Sequence, residues 1–212
     1  MLPYSINTDG NYYLPADLTF AGASPAIIVN ASQVVIDLNG RTLKSTAGTA
    51  FATGIYVNNQ VDVTIQNGDI DGFGLAGVFL AADGTDNNAK NTVDNVKFNN
   101  DNIAVLSISG QSNWVKNCII DGGDTGIYFF ADLGGSRASN NTLENQKAAE
   151  WPGLGVALLS VSGTGTYFEN NLVSKGSNAF GQILTGNDKF RFETFVGGAG
   201  HTGGVDQMAT SL

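Results

Sequence analysis

Five charged residues stand where they could do chemistry together: Arg41, Asp69, Asp71, Lys97 and Asp121. Removing a proton next to a carboxylate needs a base, plus a cation or metal to steady the enolate-like charge that develops. Asp69, Asp71 and Asp121 are the candidate acids and bases, and Arg41 and Lys97 the candidate cations, for work on a uronic acid. The same carboxylates are the one place suited to Ca²⁺, which takes roughly six to eight oxygens; no dedicated metal-ligand set stands out, and no other cofactor is expected. A solvated face explains much of this pattern equally well, because opposite charges pair across neighbouring strands, as Asp69 and Lys97 would. Asn99 also interrupts the series between Asp71 and Asp121. Other reactive groups are sparse. His201 stands alone in a glycine-rich tail. Cys118 is the only cysteine, so no intrachain disulfide forms, and its place after an asparagine corner points its thiol inward.

A second candidate surface is apolar. Ile28, Tyr56, Phe79, Leu106, Tyr128, Phe130 and Leu159 are expected to point outward from a single sheet. Aromatic side chains one rung apart stack sugar rings; the competing expectation is that a cap segment or a sister subunit covers them, since contiguous apolar patches mark contacts.

Both groups need a scaffold that repeats. The stretch Val61–Ile70, VDVTIQNGDI, reads as a strand, an Asn-Gly corner and a second strand, and the corner recurs at Gly40, Asn67, Asn95, Asn117, Asn140 and Asn170 in steps of 22 to 30 residues. Two positions before it stand Leu38, Ile65, Val93, Val115, Ala138 and Phe168; three positions after it stand Leu43, Ile70, Phe98, Ile120, Leu143 and Val173. Such a period of short strands is the signature of a solenoid. Asparagine suits the corner because a bend between sheets needs a residue in the left-handed region, which Asn tolerates best after Gly. A further strand opens each coil at Gly54-Ile55, Gly77-Val78, Asn102-Ile103, Gly126-Ile127 and Gly155-Val156. Three strands per coil predict three parallel sheets around an apolar interior, in about six to seven coils. The expected layout is one domain: a cap over residues 1–25, a parallel β-helix over 26–196, and a C-terminal cap or tail over 197–212.

Alternation places Ile55, Val57, Val78, Leu80, Ile103, Val105, Ile127 and Phe129 inside on the first sheet, and Ala104 and Ala157 outside. On the third sheet the outward files read Thr42, Asp69, Lys97, Thr142 and Lys44, Asp71, Asn99, Asp121, Glu144.

Composition narrows the partners. A net charge of −9 and 28 glycines beside 23 asparagines describe an acidic, turn-rich β protein. Nucleic acid is not an expected partner, because phosphate binding needs a basic face. No apolar run approaches the ~18 residues of a membrane helix, so no membrane span is expected. This composition fits a secreted or cell-surface protein, the leader being absent from this sequence.

The motifs VVIDLNGRTL (34–43), GIYV (54–57) and VTIQNGDIDGFG (63–74) resemble the right-handed parallel β-helix proteins of the pectin-lyase-like superfamily. DGNYYLPADLTF (9–20) and TGGVD (202–206) resemble the flanks of bacterial members. The resemblance implies a right-handed, single-stranded coil, with the first sheet carrying the substrate groove where a member is an enzyme. That superfamily spans lyases, hydrolases, epimerases, tailspikes and non-catalytic surface proteins, so fold alone does not name the activity. This chain departs from the enzymes. Its only arginines are Arg41, Arg137 and Arg191, and the pectate-lyase pattern of an arginine base beside calcium-binding aspartates is not visible. The Asp-Pro-His-Asp motif of mannuronan epimerases is also missing. The expectation is therefore a non-catalytic surface module for adhesion, assembly or glycan binding, with a polysaccharide or a sister subunit as partner and a homo-oligomer as the assembled form. The alternative is a small lyase- or epimerase-type enzyme acting on an acidic polysaccharide.

Overall fold

A computed structural model describes residues 2–84, 89–147, 156–161, 165–174, 178–183, 189–191 and 194–196. Each coil contributes three strands, and every strand pairs parallel with its counterpart one coil away. The first sheet runs in the order Tyr4–Ile6, Pro25–Val29, Thr53–Asn58, Ala76–Ala81, Ile103–Ile108, Thr125–Phe130, Val156–Val161, Asn178–Ile183. The second and third sheets follow the same order, and they fuse at two rungs because Thr64–Asp71 and Thr92–Asn99 run through the asparagine corner unbroken. The architecture is the all-β parallel solenoid that the repeat predicts, coiled in the right-handed sense that the family resemblance implies.

The segment before Ala26 is built as a rung as well as an end. Tyr4–Ile6, Gly10–Tyr13 and Leu18–Phe20 each pair in register with the coil that follows. The expected tail over 197–212 lies outside the described residues.

The core consists of two stacked columns from the corner and one from the first sheet. Ile65, Val93, Val115, Ala138 and Phe168 stack in one register and are fully buried. Leu43, Ile70, Phe98, Ile120, Leu143 and Val173 form the second. In the first coil the partner of Ile65 is Ile36, not Leu38, which corrects the alignment read from the corner spacing. Two extra residues sit there: Leu38 to Arg41 close a four-residue turn, with the Arg41 N–H donating to the Leu38 carbonyl at 2.8 Å. Asn39 and Gly40 both take positive φ, 56° and 66°. An Asn-Gly pair supplies that turn as readily as it supplies the two-residue corner, so spacing alone does not separate them.

At the other corners the asparagine column forms as expected, with φ between 54° and 59° at Asn67, Asn95, Asn117, Asn140 and Asn170. Asn95 donates to Asn67 Oδ1 at 3.0 Å and Asn170 to Asn140 Oδ1 at 2.7 Å. Asn117 turns instead to Asp94. Behind this exposed column runs a buried one that the repeat did not announce. The Cys118 N–H donates to Asn141 Oδ1 and the Asn141 N–H to Asn171 Oδ1, at 2.9 and 3.0 Å. The Asn141 amide also reaches the Val115 carbonyl. Here the first residue of each Asn-Asn doublet makes the corner and the second satisfies the backbone inside it.

Strict alternation fails at one place on the first sheet. A Cβ on Gly54 would lie 3.3 Å from Ile70 and 3.2 Å from Phe73, and one on Gly126 would lie 2.5 Å from Leu143, so this position faces the interior and must be small. The next residue, Ile55 or Ile127, faces inward too. Two consecutive inward positions shift every residue before them. Ala104 and Ala157 accordingly belong to the core, and Ile103 to an outer cluster, the reverse of the expectation.

Candidate functional site

On the first sheet, Ile28, Tyr56, Phe79, Leu106, Tyr128 and Leu159 stand in one register across six rungs. Phe130 stands in the next file beside Ile108. The Tyr56 and Phe79 rings are 5.2 Å apart, and Tyr128 meets Phe130 edge-on at 6.0 Å. The face partly covers itself: Ala76, Ile103 and Leu106 make a buried outer cluster against which Leu75, Phe79, Ile108 and Tyr128 pack. Leu106, inside that cluster, and Leu159, outside it, are buried within the single chain, at 4% and 1% exposure, while Phe130 keeps 38%. Burial raises the Tyr128 hydroxyl above its ordinary pKa.

Leu75 also lines a cleft of about 730 Å³ between the third-to-first turns, together with Thr49, Phe51, Asn100, Asn102 and Asp124. Phe51 is 74% exposed at its rim. Apolar face and cleft are therefore one continuous surface. The turn residues escaped the repeat-based reading because they lie where coil length varies; an aromatic among glycine and threonine in a turn was the available signal.

The third sheet sorts the candidate catalytic residues. Thr42, Asp69, Lys97 and Thr142 share a file, with Ile119 between Lys97 and Thr142. Lys44, Asp71, Asn99, Asp121 and Glu144 form the next. Asp71 is engaged by Lys44 Nζ at 2.6 Å, and Asp121 accepts from the Asn145 amide at 2.7 Å. Arg41 lies in the inserted turn, outside both files, with its side chain exposed. Only Asp69 and Lys97 come together, side by side in a shallow groove of about 280 Å³ floored by Asn67, Asn95 and Asn117. Among the described residues no three carboxylate, histidine or cysteine side chains gather as a metal site.

Cys118, at an asparagine corner, and Asp101, in a third-to-first turn, are among the buried titratable groups. Burial pushes the Cys118 thiol up to about 12, so it stays protonated and inert. Asp101 is buried, with one oxygen accepting the Phe73 N–H at 2.8 Å and the other without a partner. Burial raises this carboxyl well above 3.8, and the charge of Asp71 adds to the rise. The native state thus holds a proton that the unfolded chain releases as pH climbs past 3.8. Stability tied to Asp101 is therefore complete below that pH and is lost as pH rises toward the native value. Asp101→Asn keeps the acceptor and removes the charge. Thermal melts should show the variant more stable than the parent at neutral pH, with the gap closing in acid; equal melts at neutral pH would contradict a protonated Asp101.

The second sheet carries a stripe that the sequence reading passed over. Trp114, Arg137 and Tyr167 stand on three successive rungs, with Lys116 two residues from Trp114. Lys116 Nζ sits 4.2 Å over the Trp114 ring and 3.2 Å from Asp94, and the Arg137 guanidinium lies 5.1 Å over Tyr167. The Trp114 indole N–H donates to Ser139 Oγ at 2.7 Å. Alternation around buried Val115 and Ala138 was the signal that marked these side chains as outward.

The family model described as right handed beta helix region matches residues 25–195. Comparison with curated proteins and with solved structures yields no match.

Proposed function

Starting from the chain's membership of the right-handed β-helix family, we propose that it is a non-catalytic surface or secreted module that assembles with a second copy through the outer face of its first sheet. One observation carries this reading: the register of Ile28, Tyr56, Phe79 and Tyr128 along one side of a rod, continuous through Leu75 with the cleft at Phe51. A rod with one apolar side closes naturally as a symmetric pair, since the same face serves both partners. Fully burying such side chains is worth roughly 1.5–3 kcal/mol each. Tyr56→Asp with Tyr128→Asp should lower the light-scattering mass from an oligomer to a monomer while leaving the circular dichroism unchanged. A parent that is already monomeric at high concentration would remove the proposal.

The lyase or epimerase reading retains one observation, Asp69 beside Lys97 in the corner groove. A panel of polyuronates, with and without Ca²⁺, should give no ultraviolet absorbance from unsaturated products. Turnover abolished by Lys97→Ala would put the enzyme reading first.

A further inference from the structure

Two of the chain's 23 asparagines precede a glycine, Asn39-Gly40 and Asn67-Gly68, and the fold holds the two pairs very differently. An asparagine before glycine cyclises readily, because no side chain on the next residue shields its backbone nitrogen from the amide carbon. The peptide between the two must first turn out of its hydrogen bonds, so the cost of local opening decides which pair reacts. Asn67-Gly68 lies inside the unbroken strand Thr64–Asp71, which pairs with the next coil and with both strands of the preceding one. Asn67 Nδ2 donates to Asp37 Oδ2 and its Oδ1 accepts from Asn95 Nδ2, both at 3.0 Å, so the amide is held at both ends. A Cβ on Gly68 would lie 2.5 Å from Leu38 Cβ and 2.6 Å from the Arg41 carbonyl oxygen, which leaves this peptide little room to turn. Asn39-Gly40 belongs to no strand. Both residues are exposed, and a Cβ on Gly40 would meet nothing within 4 Å. The ties of this pair are three: the Asn39 N–H donates to Asp37 Oδ1 at 2.7 Å, its side-chain amide to the Leu14 carbonyl at 3.2 Å, and the Gly40 N–H to the Asn67 carbonyl at 2.7 Å. Releasing them opens one surface turn, whereas releasing Asn67 separates two rungs.

We propose that Asn39 is a site of spontaneous covalent modification, where the folded chain converts its own amide to a carboxyl, and that the solenoid protects the identical pair at Asn67. The Gly40 nitrogen gives its proton to solvent base and bonds to Asn39 Cγ, closing a five-membered imide. The Cγ–Nδ2 bond breaks, and that nitrogen takes a proton from solvent and leaves as ammonia. Water then opens the ring: cleavage of the bond from the Gly40 nitrogen to Cγ gives an aspartyl residue at position 39, and cleavage of its bond to the main-chain carbonyl carbon gives an isoaspartyl one. Water is the only co-reactant, and nothing is oxidised or reduced. The product bears on the first rung. Its new carboxylate cannot donate to Leu14 and stands beside Asp37, which among the described residues has no cation within ion-pair distance. The isoaspartyl form also lengthens the main chain of the turn by one methylene. The same turn follows Asp37, whose carbonyl accepts the Leu14 N–H at 3.1 Å, so the change loosens the pairing of Gly10–Tyr13 with Val34–Asp37.

The test is incubation of the full chain in warm, mildly alkaline buffer, once folded and once in concentrated urea, with each asparagine followed over time by tandem mass spectrometry. In the folded chain, conversion at Asn39 should run at least about tenfold faster than at Asn67, since one needs a surface turn to open and the other a paired strand. In urea the two rates should agree within about twofold, because both pairs are then the same unshielded dipeptide. Equal rates in the folded chain, or a faster one at Asn67, overturn the proposal. So does a gap that persists in urea, which would trace it to the flanking residues and not to the fold. The effect on the first rung is read from Asn39→Asp, which carries the aspartyl product from the start. Hydrogen exchange at the Leu14 amide should quicken about threefold or more, the scale of one lost surface hydrogen bond and one exposed like-charge contact. Exchange unchanged from the parent would refute the loosening of that rung.

Discussion

Ile65→Asp is expected to leave the protein unfolded at room temperature. Ile65 is fully buried in a column between Ile36 and Val93, with core side chains above, below and across. A carboxylate placed there has no cation or donor within the apolar column, and the side chain would either carry a buried charge or hold a proton at the cost of a raised pKa. The loss should reach on the order of 4–5 kcal/mol, the range of the most damaging single substitutions and comparable with the whole stability of many domains. Because each coil is supported chiefly by its neighbours, the break should also uncouple the rungs on either side. Ile65→Val, which removes one methylene without adding charge, should cost about 1 kcal/mol. Circular dichroism melts of the two variants decide the matter: a cooperative transition near the parent's in Ile65→Asp would refute the burial assigned to this column.

The second large effect belongs to the inner asparagine ladder. Asn141→Leu matches the parent in size but removes the acceptor of the Cys118 N–H and the donor to the Val115 carbonyl and to Asn171. Each buried group left without its partner costs about 1–3 kcal/mol, and the losses fall in one connected network. Asn141→Leu should therefore destabilise by several kcal/mol and produce early hydrogen exchange at the Cys118 amide. Its neighbour provides the contrast. Asn140 is exposed and holds the corner at φ 56°, so Asn140→Leu loses only the tolerance of Asn for the left-handed region and one surface hydrogen bond. That change should cost roughly 1–2 kcal/mol. Equal denaturant midpoints for the two variants would show that the inner ladder does not carry the corner.

The period of the corner and the apolar residues flanking it were enough to obtain the strand count per coil, the parallel stacking and the two core columns, because backbone pairing in a solenoid repeats the same local constraint at every rung. Val93, Val115 and Ala138 fall where they do for a reason already present in their neighbours' spacing. Three features needed the folded chain. Leu38 and Gly40 fit the repeat by spacing but belong to a four-residue turn, since an Asn-Gly pair serves two turn lengths. Ile103 fell on the outer face because Gly54, Gly77 and Gly126 let the first strand turn two successive residues inward, a change of phase that period-two counting does not register. The candidate sites divided in the same way. Residue type and file order placed Asp69 next to Lys97, yet whether Asp71 stood free or met Lys44 depended on side-chain reach between rungs. The stacking of Lys116 on Trp114 and of Arg137 on Tyr167 likewise arises within and between strands 22 to 30 residues apart in the chain. Sequence names the members of each file; only the rotamers and the rung-to-rung distances decide which of them touch.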